Sequence, residues 1–139
     1  MKAVIDVNII IDAFRNRFPD DESPSQILLA IELGYFDGFI TADSLTNLYY
    51  ILHHDTHSKT KTRSFIDATL NIFKILDINE TDCRLAYASN RPDFEDSLLI
   101  ETAKRHKIDY IVTRNTKDFK YSKIPVISPA EFLAKLQFS

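Results

Sequence analysis

Short apolar runs alternate along the chain with longer stretches in which apolar residues recur every three or four positions. Short runs of this kind are typical of buried strands, and the three- or four-residue spacing is typical of helices that bury one face. The pattern predicts strands near 3–5, 39–40, 74–77, 108–113 and 124–127. It predicts helices near 9–14, 25–33, 41–53, 65–73, 81–89, 93–107 and 129–136.

This alternation of strands and helices predicts an α/β fold in which helices cover both faces of a mostly parallel sheet. We expect a three-layer α/β/α sandwich with a central sheet of four to five strands, formed as a single domain over residues 1–139. The strands that begin at Ala3 and Ile108 are the most apolar, so we place them side by side at the centre. The last strand contains Pro125, which edge strands tolerate.

Composition limits the classes of protein to be considered. Of the 139 residues 45% are hydrophobic and only 2 are Gly, which argues against disorder and against a turn-rich all-β fold. The net charge of −3 neither indicates nor excludes a nucleic-acid partner. The lone Cys83 excludes an internal disulfide and favours a cytoplasmic location. Since Asp6, Asn8 and Asp12 interrupt the apolar start, we expect neither a signal peptide nor membrane insertion.

Polar side chains follow the two strands that we place at the centre. Asp6 comes directly after the first strand, Asn115 follows the strand that begins at Ile108, and Asp118 lies three residues later. In open α/β sheets the ligand crevice lies outside the carboxyl ends of the strands. Because Asp is uncommon in strands and rarely buried without a partner, Asp6 is the leading candidate for a functional residue.

A further carboxylate comes from the helix that begins at Asp93. Asp96 lies in its first turn and shares a face with Leu99 and Ala103, so the helix would bring it over the strand ends. Carboxylates gathered in one cleft repel each other, and Mg²⁺ removes that cost with one or two carboxylates, waters and substrate phosphates as ligands. The structural alternative is that Asp93, Glu95 and Asp96 only stabilise the start of the helix.

Three short motifs occur in order along nearly the whole chain: Ile5–Asn8 with Asp12, Asp93–Leu98 continuing to Thr102 and Ala103, and Ile111–Asn115 with Lys117–Phe119. Together they resemble the PIN domain, especially the small bacterial kind found as the ribonuclease toxins of VapBC-type toxin–antitoxin pairs. The resemblance implies an α/β/α fold and cleavage of single-stranded or structured RNA, with Mg²⁺ or Mn²⁺ as the cofactor. It also implies an antitoxin protein and a second copy of the chain, in a homodimer, as partners.

The resemblance also implies site residues. Asp6 and Asp96 match the first and third metal-binding acids of the family, and Asn115 matches the fourth position, which varies between Asp and Asn. At the second acid this sequence has Asn47, which brings no charge and cannot act as a base. Asp43, one turn earlier on the same side, either substitutes in part or only stabilises the start of the helix. Asn8 and Thr113 match polar residues that commonly support the family's site. Independently of the resemblance, Asp93, Glu95 and Asp118 are supporting candidates because they lie beside Asp96 and Asn115 in the sequence.

The resulting hypothesis is a Mg²⁺- or Mn²⁺-dependent endoribonuclease in which Asp6 and Asp96 bind the cation. Arg91 and Arg114 flank the acidic motifs and are the candidate RNA contacts. The replaced second acid leaves an alternative, a PIN-like domain that binds RNA or a protein partner without cleaving. A phosphoacceptor signalling domain is disfavoured, because the sequence lacks a second acid beside Asp6 and a Lys at the end of a late strand.

Overall fold

Five parallel strands form one sheet in the computed structural model, which describes residues 1–138. The strands are β1 (Lys2–Ile5), β2 (Asp37–Thr41), β3 (Lys74–Leu76), β4 (Tyr110–Val112) and β5 (Val126–Ile127). Their order in the sheet is β3-β2-β1-β4-β5, and every pairing is parallel. The predicted neighbours β1 and β4 pair directly, with Ala3 opposite Tyr110 and Ile5 opposite Val112. The parallel sheet is therefore confirmed, with β1 at its centre.

Helices cover both faces of this sheet. They are α1 (Val7–Arg15), α2 (Ser23–Glu32), α3 (Ala42–Thr56), α4 (Lys59–Ile72), α5 (Glu80–Ala88), α6 (Phe94–Arg105) and α7 (Pro129–Leu136), with a short 3₁₀ helix at Thr116–Phe119. Ala3 and Ile5 belong to an apolar cluster with α1, α2, α3 and α7, whereas Val4 belongs to a second cluster with α6 and Phe119. Since successive residues of a strand point to opposite faces, the two clusters confirm the three-layer sandwich.

The continuous apolar sequence of β1 follows from its position at the centre of the sheet. Ala3, Val4 and Ile5 have no exposed surface, because helices lie on both sides of β1. A strand covered on both faces needs a continuous apolar run rather than an alternating one. Among residues 1–138, no helix combines the length and the apolar character required to cross a membrane.

Helices α1 and α4 both begin earlier than the sequence predicts. Helix α1 begins at Val7 rather than near residue 9, because Asp6 caps the helix by accepting the backbone N–H of Asn8. Helix α4 begins at Lys59 rather than near residue 65, because the side chain of Ser58 accepts the backbone N–H of Lys61. Both differences arise from capping hydrogen bonds, which stabilise a first helical turn that an apolar pattern does not reveal.

Candidate active site

Asp6 lies at the junction of β1 and α1 and is 9% exposed. Its Oδ2 accepts a hydrogen bond from the hydroxyl of Thr113 at 2.8 Å, and its Oδ1 accepts the backbone N–H of Asn8 at 3.4 Å. Thr113 follows β4 directly, is fully buried, and accepts the backbone N–H of Asn115 through the same hydroxyl at 3.1 Å. The ends of two adjacent strands therefore hold Asp6 and Asn115 side by side at the carboxyl edge of the sheet.

The first turn of α6 brings further carboxylates to this edge. Asp93 caps the helix, and its Oδ1 accepts the backbone N–H of Asp96 at 2.9 Å. Glu95 and Asp96 occupy the first turn, and the helix is buried continuously from Ser97 to Ala103. Burial along that length fixes the direction in which the first turn projects.

These elements enclose an open cleft of about 430 Å³. Most of the predicted site residues line this cleft. Thr113 does not, because it is fully buried and contacts Asp6 from inside the protein, and neither do Arg91 and Arg114. Its lining consists of Asp6, Val7, Asn8, Asn47, Ile51, Asp93, Glu95, Asp96, Asn115, Asp118 and Phe119.

Asn47 occupies the α3 side of the cleft and donates a hydrogen bond from Nδ2 to Oε1 of Glu95. The position of the missing second acid is thus in contact with a carboxylate that comes from α6. The sequence predicts only a supporting role for Glu95, because the one feature that marks this residue is its place beside Asp96 in an acidic first turn. Asp43 does not line the cleft, although its charge contributes to the raised pKa of Glu95.

The carboxylates of the cleft raise one another's pKa values. Burial, together with the charges of Asp93, Asp6, Asp118 and Glu95, raises the pKa of Asp96 to about 7. Burial also raises the pKa of Asp6, against the hydrogen bonds from Thr113 and Asn8 and the charge of Arg114. Negative charge is therefore concentrated in the cleft beyond what the neighbouring protein groups neutralise.

Arg114 and Asp12 form an ion pair close to the cleft, and the carboxylate of this pair is buried. Nε of Arg114 lies 2.7 Å from Oδ2 of Asp12, whose side chain is 1% exposed, and the guanidinium lies over the ring of Phe18 at 5.2 Å. Burial raises the pKa of Asp12, and the charge of Arg114 opposes this rise. The sequence predicts no site role for Asp12 and predicts Arg114 as an RNA contact. The structure shows Arg114 joining α1 to the loop after β4 and placing a positive charge near Asp6.

Arg91, the other candidate RNA contact, is also engaged within the protein. Its Nη1 lies 2.8 Å from Oε2 of Glu101, which is 6% exposed on α6. Arg91 does not line the cleft but a neighbouring groove that shares Asp93, Asp96 and Asp118 with it.

The donor set fits a hard divalent cation that keeps much of its water. Across residues 1–138, no three His, Cys, Asp or Glu side chains converge closely enough to form a metal cage from protein groups alone. Mg²⁺ is usually held by one or two carboxylates with waters and substrate phosphates, and Asp6 and Asp96 offer such a pair in an open cleft. A cation there would also offset the concentrated negative charge.

Comparison of this chain with known proteins identifies the same family as the sequence motifs. A family model described as PIN domain matches residues 2–117. The protein named Ribonuclease VapC1 of Aquifex aeolicus (strain VF5) is 28% identical over 136 residues, which cover 94% of this chain and 92% of that protein. These matches confirm the resemblance that the three sequence motifs suggested.

Solved structures share the fold. A toxin–antitoxin complex from Klebsiella pneumoniae contains a chain that is 25% identical with a TM-score of 0.66, covering 91% of this chain and 97% of that one. The structure of VapBC2 from Rickettsia felis bound to a DNA fragment from their promoter gives a TM-score of 0.66 at 22% identity, with the same coverage of both chains. At that identity the second likeness supports the fold alone.

Proposed function

Because the chain belongs to the PIN domain family, we propose that it is a metal-dependent endoribonuclease that hydrolyses phosphodiester bonds in RNA. The observation that carries the proposal is the cleft in which Asp6, at the end of β1, shares an open space with Glu95 and Asp96 from α6. The name of the relative from Aquifex aeolicus supports the same activity.

Several residues in and beside the cleft have a part in this chemistry. Asp6 and Asp96 would hold Mg²⁺ or Mn²⁺, and the bound cation would supply Lewis acidity and stabilise charge on the phosphate. Thr113 and the backbone of Asn8 keep the Asp6 carboxylate in place. Asn47 orients Glu95, whose pKa is raised by burial and by neighbouring carboxylates. A carboxylate with a raised pKa suits the role of the base that accepts a proton from the attacking water.

The proposal is tested by incubating the purified protein with a mixed RNA pool in Mg²⁺, in Mn²⁺ and in EDTA. We expect cleavage with either cation, none in EDTA, and none by the variants Asp6→Ala and Asp96→Ala. The variant Asp67→Ala, which removes an exposed carboxylate from α4, is the matched control and should cleave like the unsubstituted protein. Equal cleavage by a variant with both Asp6→Ala and Asp96→Ala would refute the proposal.

A second candidate function is RNA or protein binding without cleavage, which the amide of Asn47 at the second acid position favours. Calorimetry separates the two: RNA binding without any divalent cation binding supports this candidate. The contact between Asn47 and Glu95 favours the enzyme, because it brings a carboxylate to that position.

The proposed biological role is that of the toxin in a toxin–antitoxin pair, with an antitoxin protein and a second copy of the chain as partners. The complex from Klebsiella pneumoniae supports this role. Exposed apolar side chains occur at the end of α2 and just beyond it, at Leu29, Leu33 and Tyr35, and they suit a protein contact. Light scattering of the purified chain should give the mass of a dimer.

A further inference from the structure

A second groove, of about 300 Å³, adjoins the cleft. We call it the basic groove and define it by Arg91, Lys117, Lys120 and Tyr121 in its lining. Its volume lies at the low end of the range for small-molecule sites. Asp93, Asp96 and Asp118 line both the basic groove and the cleft, so the two spaces adjoin along these aspartates.

Two cations in the basic groove are available to a ligand. Lys117 and Lys120 are exposed, and among residues 1–138 neither forms an ion pair with a carboxylate. Arg91 differs, since Glu101 holds its guanidinium. Two ammonium groups without a carboxylate partner favour an anion, which would bind to them beside the aspartates that also line the groove. The phosphates of a polynucleotide are such anions, and each is separated from the next by a sugar.

The fourth residue of the groove presents an aromatic surface. The ring of Tyr121 is half exposed, at 49%, and Nζ of Lys120 lies 5.1 Å from its centroid. The exposure of Tyr121 shows that solvent reaches the side chain, while the ammonium group of Lys120 lies over one face of the ring. An exposed aromatic ring next to unpaired lysines is the combination with which proteins bind single strands, whose unpaired bases are free to stack.

We propose that the basic groove binds a nucleotide of single-stranded RNA that neighbours the phosphodiester cleaved in the cleft. Its base stacks on Tyr121, and its phosphate is bound by Lys117 and Lys120. The inference rests on the proposed function for the identity of the ligand as RNA, and it adds that the substrate is single-stranded at this position.

The experiment measures RNA binding apart from cleavage. Fluorescence anisotropy of a labelled single strand of about 12 nucleotides, in EDTA, gives the dissociation constant for the full chain. We expect Tyr121→Ala to weaken binding of the single strand at least about fivefold and Tyr121→Phe to leave it nearly unchanged. The double variant Lys117→Met with Lys120→Met should lower the salt dependence, with a slope of log K against log salt smaller by about 1.4.

Matched controls remove the same groups elsewhere. Tyr87→Ala deletes a ring that is 80% exposed on α5, and the pair Lys59→Met with Lys61→Met deletes two exposed charges on α4. Both should bind the single strand like the unsubstituted protein. A blunt RNA duplex should bind equally to the protein with and without Tyr121→Ala, because its bases are not free to stack.

The inference is overturned if the unsubstituted protein binds no single strand, if the groove variants bind like the controls, or if Tyr121→Ala weakens duplex binding equally. These results are independent of the cleavage assay. Cleavage that is unaffected by the groove variants would leave the nuclease proposal standing without this inference. Binding of the single strand through the groove without any cleavage would refute the nuclease proposal and leave the groove as a binding site for single strands.

Discussion

A hydrogen bond from Asn47 to Glu95 joins α3 to α6 across the cleft. The amide cannot supply the charge or basicity of the acid expected at its position, but it can hold a carboxylate that does. Burial and the charges of Asp43 and Asp93 raise the pKa of Glu95, and the hydrogen bond from Asn47 opposes that rise. At the scale of single residues, therefore, we propose that Glu95 of α6 takes the place of the second acid.

Replacing Glu95 tests this proposal. Glu95→Gln keeps the size of the side chain and an oxygen that can accept from Asn47, but it removes the base. We expect kcat for RNA cleavage to fall about 100-fold or more while RNA affinity changes little. Glu131→Gln, at an exposed position in the first turn of α7, is the control. A kcat for Glu95→Gln equal to that of the control would show that Glu95 is not the base.

The raised pKa of Asp96 predicts a pH-dependent cost to stability when no cation is present. Its folded pKa of about 7 exceeds the unfolded value of about 3.9, so ionisation disfavours the folded state increasingly from pH 4 to pH 7. In EDTA at pH 8, Asp96→Asn should raise the free energy of unfolding by about 1–2 kcal/mol, after allowance for solvent screening. The gain should be smaller at pH 5.

Thermal unfolding at both pH values measures this effect, and added Mg²⁺ provides the internal check. Mg²⁺ should raise the Tm of the unsubstituted protein at pH 8 more than that of Asp96→Asn, because the cation then stabilises the ionised carboxylate. A lower Tm for the variant in EDTA at pH 8 would contradict the proposed electrostatic cost.

At the scale of elements, the placement of α6 decides whether its carboxylates reach the cleft. Asp82 of α5 is 1% exposed and accepts hydrogen bonds from Nε of Arg105 at 2.9 and 3.1 Å, which fixes the end of α6 farthest from the cleft. The ion pair of Arg91 and Glu101 fixes the middle of the helix to the loop before it. Ion pairs on two sides thus hold α6 in the direction that places Glu95 and Asp96 in the cleft.

Removing the charge of Asp82 should destabilise the fold at neutral pH. Burial would raise the pKa of Asp82, but hydrogen bonds from Arg105 and from the backbone of Asn79 lower it overall. A lowered carboxylate pKa contributes stability that is present above the unfolded pKa and is lost as the pH falls through the folded pKa. Asp82→Asn should therefore lower the Tm by several degrees at pH 7, and the difference should shrink as the pH falls below about 4.

Glu80→Gln is the matched control for Asp82→Asn. Glu80 lies on the same helix, and its pair with Arg84 at 3.2 Å is exposed on both sides, so its loss should change the Tm little. Equal Tm values for the two variants at pH 7 would show that the buried pair does not hold α5 against α6.

The sequence predicts the elements well because their signals are local. Apolar runs mark β1 and β4, and their strong apolar character predicts that they are neighbours, as the pairing of Ala3 with Tyr110 confirms. The same reasoning did not predict the contact of Asn47 with Glu95 or that of Asp12 with Arg114. Each contact joins residues far apart in the chain and depends on how whole helices and loops pack, which periodicity does not encode.

At the scale of the whole molecule, the strand order explains why the site forms where it does. Because β1 lies at the centre of a parallel sheet with β4 beside it, the carboxyl ends of both strands open on one edge. The chain then returns through α6 to cover that edge with Glu95 and Asp96. The net charge of −3 does not reveal this arrangement, because it sums over opposite charges in different places. Acidic residues lie together in the cleft, and Lys117 and Lys120 line the groove beside it.

The central claim is that Asp6 and Asp96 hold a divalent cation in the cleft, and calorimetric titration of Mn²⁺ tests it most directly. We predict saturable binding to the unsubstituted protein, weaker binding to Asp6→Asn and to Asp96→Asn, and no change for the exposed control Asp67→Asn. Binding that survives unchanged when Asp6→Asn and Asp96→Asn are combined, or no binding by the unsubstituted protein, would contradict the claim.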